Sequence, residues 1–347
     1  MATRVLIVDD SALIRQLLTE LLGADREIEV IGSAPDPYQA WEKIKSLRPD
    51  VLTLDVEMPR MDGLSFLQRL MQLQPMPVLM VSSLTEGGCA TTLRALELGA
   101  IDFVTKPKID LRSGTVELAE ELCAKVKAVA KAQVRRPTRR SLGGTSSAIP
   151  AEALIRTTEV VMAIGASTGG TEALREVLTA LPAESPGVVV VQHMPERFTT
   201  SFAERLDGLC RVRVREAADG DRVLPGHVLI APGNWHLAIR RSGANYTVRT
   251  HQEPPVNRHR PSVDVLFASC ARYLGPNAIG ALLTGMGADG ARGLLAMRQS
   301  GSATLAQDEA TSVVFGMPKE AIQIGAAEEI VPLHGMAAAL LRRAARH

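Results

Sequence analysis

Short apolar runs alternate with amphipathic stretches twice along this chain, and a basic, low-complexity stretch separates the two series. From residue 4 onward, "RVLIV", "EIEVIG", "DVLTLDV", "PVLMVSS" and "AIDFVTKP" read as buried strands. Between and after them, "SALIRQLLTELLG", "DPYQAWEKIKSL", "GLSFLQRLMQL", "TTLRALELG" and "VELAEELCAKVKAVAKA" read as helices, the first with a serine N-cap and a glycine stop. This alternation predicts an α/β fold with a doubly wound, five-stranded parallel sheet and ligands at the carboxyl ends of its strands. Residues 131–150, "KAQVRRPTRRSLGGTSSAIP", break the rhythm with five basic residues, no acidic ones and a Gly/Ser/Thr cluster, the composition of a flexible linker. The second series places strands at 160–164, 187–192, 227–231, 278–285, 303–307 and 329–333. Residues 236–251, "HLAIRRSGANYTVRTH", predict a β-hairpin that turns at Ser242-Gly243-Ala244-Asn245. The expected organisation is a domain over 1–130, a linker over 131–150, and a second α/β parallel-sheet domain over 151–347.

Composition narrows the function classes. A net charge of +1 gives no general attraction to nucleic acid or membrane, and the basic linker lacks interleaved aromatics. No apolar run approaches the roughly 18 residues that a membrane span needs. The N-terminus reaches acidic residues too early for a signal peptide. Cys89, Cys123, Cys210 and Cys270 are widely spaced, as expected of reduced core thiols. A cytoplasmic protein is expected, with no nucleic-acid partner and no direct membrane insertion.

Asp9 and Asp10 end the first strand of the first series and Asp55 ends the third, so a parallel sheet brings three carboxylates to one edge. Such a cluster repels itself unless a hard cation sits there, and oxygen ligands suit Mg²⁺. Ser82 ends the fourth strand and Lys106 follows the fifth, adding the hydroxyl and fixed positive charge that a bound phosphoryl group needs. Taken singly, the aspartates read as caps or turn residues; together they resemble the receiver domain of bacterial response regulators over essentially its full length. The resemblance implies phosphorylation of Asp55 by a histidine kinase. It implies Mg²⁺ held directly by Asp10 and Asp55, with Asp9 assisting through water and the Glu57 backbone carbonyl as a further ligand. Ser82, Lys106 and Phe103 would form the switch.

In the second series, "GASTGG" (165–170) joins a strand to a helix. It lacks the Gly-Lys-Ser/Thr of a Walker A loop, and Ser167 stands where a dinucleotide fingerprint needs its second glycine. Gly165 to Gly169 instead match G-x-S-x-G, a turn that exposes a serine hydroxyl at a helix N-terminus, where backbone N–H groups can serve an oxyanion. A serine needs a base. "GVVVVQ" ends at His193, and "AIGALLTG" leads to Asp289. Each has a plainer reading, as a turn histidine and a helix N-cap. Their shared position at the carboxyl ends of parallel strands favours an Asp–His–Ser relay. The chain order Ser…His…Asp differs from that of the α/β-hydrolases and points to another fold with the same geometry.

"GASTGG", "QHMP", "HRPSVD" (259–264) and "LLTGMGADG" (282–290 within "ALLTGMGADG"), following a receiver and a linker, resemble the chemotaxis protein-glutamate methylesterase family, CheB, over nearly the whole chain. The resemblance implies a Ser167–His193–Asp289 triad, Thr168 close to the histidine, and the Met286 N–H serving the oxyanion, with no cofactor in the esterase site. It implies hydrolysis of glutamyl methyl esters on methyl-accepting chemotaxis receptors with release of methanol, deamidation of certain receptor glutamines, and activation by a chemotaxis histidine kinase. "HRPSVD" is expected to serve as scaffold or substrate cleft without a chemical role, with Ser262 or Asp264 capping the following helix. His227, His236, His251, His334 and His347 are expected at the surface or in turns. Competing readings are a small-ester hydrolase with a receiver switch and a regulator whose output half binds DNA or protein; the strand-rich second half, with dispersed basic residues, argues against DNA.

Overall fold

The computed structural model describes residues 2–58, 62–83, 85–106, 115–132, 160–243 and 245–346. The chain forms two compact units that part at residues 144/145, and that junction, with most of the expected linker, lies outside the described residues.

The first unit contains β1 (Thr3–Val8), α1 (Ala12–Gly23), β2 (Ile28–Ala34), α2 (Pro37–Leu47), β3 (Val51–Asp55), α3 (Gly63–Leu73), β4 (Val78–Ser82), α4 (Glu86–Glu97), β5 (Asp102–Thr105) and α5 (Thr115–Ala130). Its parallel sheet has the order β2-β1-β3-β4-β5. Right-handed crossovers then put α1 and α5 on one face. There Ile14, Leu18 and Leu22 meet Leu122, Val126 and Val129 over Val5, Ile7 and Val81. Ser11 caps α1 through a hydrogen bond from the Ile14 N–H (3.4 Å), as its sequence predicts. Gly23 is not a left-handed stop: it is the last helical residue, and Ala24 caps the helix at φ −73°.

The second unit is built on a seven-stranded, all-parallel sheet in the order β14-β13-β12-β6-β7-β9-β8. The strands are β6 (Val161–Ala166), β7 (Gly187–Gln192), β8 (Arg213–Glu216), β9 (His227–Ile230), β12 (Ala278–Leu282), β13 (Ala303–Gln307) and β14 (Glu329–Val331). β10 (His236–Ser242) and β11 (Asn245–His251) form the expected hairpin, with Ala244 of its turn outside the described residues. The helices are α6 (Gly170–Thr179), α7 (Phe198–Asp207), α8 (Val263–Tyr273), α9 (Ala291–Gln299), α10 (Met317–Gln323) and α11 (Leu333–Ala344). Sequence reading missed β8, a four-residue edge strand in which buried Val214 stands between exposed Arg213 and Arg215. It also ran β12 three residues too far. From β6 the chain steps outward to β7 on one side, while β12 flanks β6 on the other, so the strand order reverses at β6 and opens a crevice at its carboxyl end.

Candidate active site and phosphorylation pocket

Ser167 follows β6, His193 follows β7 and Asp289 lies beyond β12, so neighbouring strands deliver all three to that crevice. The Ser167 N–H donates to the Thr284 carbonyl (3.0 Å), while its own carbonyl accepts from the Gly170 N–H (2.7 Å) and Gln192 Nε2 (2.9 Å). Gly169 makes the turn at φ +75°, where a Cβ would stand 2.6 Å from the Val313 side chain. The seryl backbone is therefore fixed on both sides.

His193 bridges the other two residues, with Nδ1 3.1 Å from Ser167 Oγ and Nε2 2.8 Å from Asp289 Oδ2. An ionised carboxylate only accepts, so Nε2 carries the proton and Nδ1 keeps a lone pair toward the serine hydroxyl. Asp289 is buried, which by itself would raise its pKa. Hydrogen bonds from His193, Asn257 and Ser262 outweigh that burial and hold the carboxyl well below the usual range.

The expected scaffold or substrate-cleft segment "HRPSVD" holds Asp289 in place. Ser262 Oγ donates to Oδ1 (2.7 Å), the Val263 N–H to Oδ2 (2.6 Å) and the Asp264 N–H to Oδ1 (3.3 Å). Asp289 thus occupies the N-terminus of α8, where orphan N–H groups and the helix dipole favour an anion. Ser262 is the N-cap residue, yet its side chain bonds Asp289 and caps no helix N–H. Asn257 Nδ2 also reaches Asp289 Oδ1 and Asp264 Oδ2, at 2.7 Å each. Asn257 and Arg258 are the left-handed pair (φ 51° and 67°) of a tight turn closed by reciprocal Val256–His259 backbone hydrogen bonds. His259, next in line, stacks on His193 with ring centroids 3.8 Å apart.

His236 is a correction: it is fully buried, not a surface or turn residue. Its Nδ1 accepts from the Ser262 N–H (3.3 Å) and its Nε2 lies 3.1 Å from the Pro254 carbonyl. Burial lowers its pKa, against the Pro254 hydrogen bond. No sequence period marked Asn257 or His259; the Asn at a tight two-residue turn was the available signal.

Thr168 is buried beside the serine, and its carbonyl accepts from Thr284 Oγ1 (3.0 Å). Gly285 packs so closely on Ser167 that a Cβ would lie 2.8 Å from the serine Cβ. The Gly285 carbonyl accepts from the Gly316 and Met317 N–H groups (3.1 and 2.8 Å), which turns the trans Met286 N–H the opposite way.

In the first unit, oxygens of Asp9, Asp10 and Asp55 all lie within 4.8 Å of one another, a donor set that fits a hard divalent cation. Asp9 and Asp55 are buried and Asp10 is exposed. Lys106 Nζ lies 2.7 Å from Asp55 Oδ2 and 3.1 Å from Asp9 Oδ2. Burial, with Asp9 alongside, raises Asp55 to about 6 in spite of Lys106. Burial works against the Lys106 charge, but the two carboxylates prevail and raise its pKa. The Glu57 N–H donates to Asp55 Oδ1 (3.2 Å). Ser82 is held by α4, accepting from Thr92 Oγ1 (2.6 Å) and lying 3.4 Å from the Gly88 carbonyl. Phe103 is buried, with Lys125 Nζ 5.5 Å from its ring centroid.

Two such units in one chain define a class: a response regulator whose output half is a hydrolase built on a parallel sheet flanked by helices. The family model described as CheB methylesterase matches residues 162–340, and the response regulator receiver domain model matches residues 5–113. The chain belongs to the CheB methylesterase family and is a carboxylic ester hydrolase with an N-terminal receiver domain. It is 59% identical over 346 residues to protein-glutamate methylesterase/protein-glutamine glutaminase 2 of Pseudomonas aeruginosa, covering 100% of this chain and 98% of that protein. A relative from Geobacter metallireducens, protein-glutamate methylesterase/protein-glutamine glutaminase 1, is 59% identical over 339 residues, 96% of this chain and 93% of its own length. Among solved structures, the Thermotoga maritima CheB methylesterase catalytic domain superposes with a TM-score of 0.52 at 38% identity, covering 53% of this chain and 98% of that one. Among the described residues, no helix is long and apolar enough to cross a membrane.

Proposed function

We propose that the second unit hydrolyses glutamyl methyl esters, and deamidates particular glutamines, on the cytoplasmic helices of methyl-accepting chemotaxis receptors through Ser167, His193 and Asp289. The observation that carries this reading is the His193 ring set between Ser167 Oγ at 3.1 Å and Asp289 Oδ2 at 2.8 Å. His193 Nδ1 takes the serine proton as Oγ attacks the ester carbonyl carbon. The Met286 N–H stabilises the resulting oxyanion, and Thr168 supports the histidine. Asp289 balances the imidazolium, which returns its proton to the departing methoxide and releases methanol. Water, deprotonated by His193, then cleaves the glutamyl–serine ester and restores the enzyme. With a glutamine substrate the leaving group is ammonia, so one site serves both reactions.

Residues 1–130 act as the receiver and 151–347 as the catalytic domain, with 131–150 as the linker between them. A chemotaxis histidine kinase phosphorylates Asp55. Asp10 and Asp55 would hold Mg²⁺ directly, with Asp9 through water and the Glu57 carbonyl, and the bound ion would neutralise charge around the phosphoryl group. Lys106 and Ser82 respond to the new group, Phe103 follows, and the hydrolytic rate of the second unit rises. A difference of a few kcal/mol between two arrangements suffices for such a switch. The setting is cytoplasmic, with no nucleic-acid partner, no membrane insertion, and no cofactor in the esterase site. The test is methanol release from methylated receptor membranes with and without a small-molecule phosphodonor. Stimulated release that Asp55→Asn no longer shows supports the reading; no methanol under either condition refutes it.

A further inference from the structure

Beside the triad, the β10–β11 hairpin and α8 enclose a cleft of about 530 Å³ that the hydrolytic reaction does not use. The hairpin register puts His236 opposite His251, Ala238 opposite Arg249 and Arg240 opposite Thr247, so these side chains share one face. From α8, Val265, Ala268, Ser269 and Arg272 contribute at the i, i+3, i+4, i+7 spacing of a single helix face. Small side chains, Ala238 and Ala268, leave the floor apolar and open, and partly exposed Val256 and Tyr273 extend it.

The walls are basic. Arg240, Arg249 and Arg272 line the cleft against one carboxylate, Glu253. Among the described residues the side chains of these three arginines make no hydrogen bond or ion pair, and the Arg272 guanidinium lies over the Tyr273 ring at 5.2 Å, whereas Arg215, Arg260 and Arg343 of the same unit have hydrogen-bond or carboxylate partners. The cleft is also coupled to the chemistry: Val256 precedes Asn257, which holds Asp289, and His236 accepts from the Ser262 N–H.

We propose that this cleft docks an acidic amphipathic helix of the receptor substrate, its apolar stripe on the Ala238–Ala268 floor and its carboxylates against Arg240, Arg249 and Arg272. The inference rests on the receptor-esterase reading and adds to it where the substrate is held. The occupant follows from charge complementarity: an apolar floor between guanidinium walls matches an apolar stripe flanked by glutamates.

Binding is read without turnover, using full-length Ser167→Ala protein and membrane vesicles carrying a methylated chemoreceptor, beside vesicles of the same lipids without receptor. Adding Arg249→Glu and Arg272→Glu raises the Kd for receptor vesicles at least tenfold, while Arg249→Lys with Arg272→Lys keeps most of the binding. A circular-dichroism melt that matches the parent protein excludes loss of fold as the cause. An unchanged Kd in the charge-reversed protein overturns the proposal. Equal binding to receptor-free vesicles overturns it too, in favour of a lipid surface. Methanol release by the unsubstituted chain tests hydrolysis separately, so either reading can fail alone.

Discussion

His259 lies flat on His193, ring centroids 3.8 Å apart and planes 15° from parallel. The stack leaves the His193 ring little freedom to rotate away from Ser167 and Asp289. His259→Ala is expected to lower kcat by about ten- to a hundredfold with little change in KM, since a displacement on the order of 1 Å in a reacting group costs that much. His259→Phe, which keeps a flat ring, should recover most of the loss. Steady-state kinetics on methylated receptor membranes decide it: equal defects in the two variants would show that the stack does not position the base.

The grip on Asp289 is redundant, and its members should weigh unequally. Ser262→Ala and Asn257→Ala each remove one donor from a carboxylate that keeps several others. Each should reduce kcat by roughly tenfold, the scale of a hydrogen bond to a charged group. Asp289→Asn should cost about 10⁴, because a side-chain amide can donate to Nε2 and so strand the imidazole proton on Nδ1, facing the serine. Single-turnover rates on the same substrate provide the ranking, and a Ser262→Ala defect as large as that of Asp289→Asn would contradict it.

Asp55 makes the receiver's stability depend on pH in a defined direction. Its pKa is raised from 3.8 to about 6, so the native state holds a proton that the unfolded chain has released between those values. The associated stabilisation is present below about pH 4 and is lost as pH rises through about 6. In Mg²⁺-free buffer, Asp55→Asn should therefore melt above the unsubstituted protein at pH 7.5, with the gap closing near pH 4.5. Lys106 keeps Asp9 as a partner at 3.1 Å, which limits the opposing loss. Thermal melts of the full chain at the two pH values check the sign; a gap that widens on acidification would refute it.

Ser167 and His193 should behave as one unit. Either alanine substitution should cost nearly as much as both together. Multiplicative losses in methanol release would argue against His193 as the base.

Much of this was legible in the sequence because strand ends are legible. Asp9, Asp55, Ser82, Ser167 and His193 each sit where a continuous apolar run stops, and a parallel sheet gathers such positions along one edge. What stayed hidden came from tertiary encounters without a period. Asn257 and Ser262 meet Asp289 across 32 and 27 residues, and nothing local marks either as its partner. His236 opens a strand that ends in Arg240, Arg241 and Ser242, and its burial comes from tertiary packing, with the Ser262 N–H at the start of α8 donating to its ring. β8 was missed because edge strands are short and carry charge on their outward face.

The central claim is that Ser167 is the nucleophile, and the most direct measurement is methanol release by Ser167→Ala from methylated receptor membranes. The serine is buried in a turn fixed by backbone hydrogen bonds, so the substitution removes the hydroxyl and leaves the turn intact. A loss of about 10⁴–10⁶ in rate with an unchanged melting curve is expected. Activity within tenfold of the unsubstituted enzyme would contradict the account.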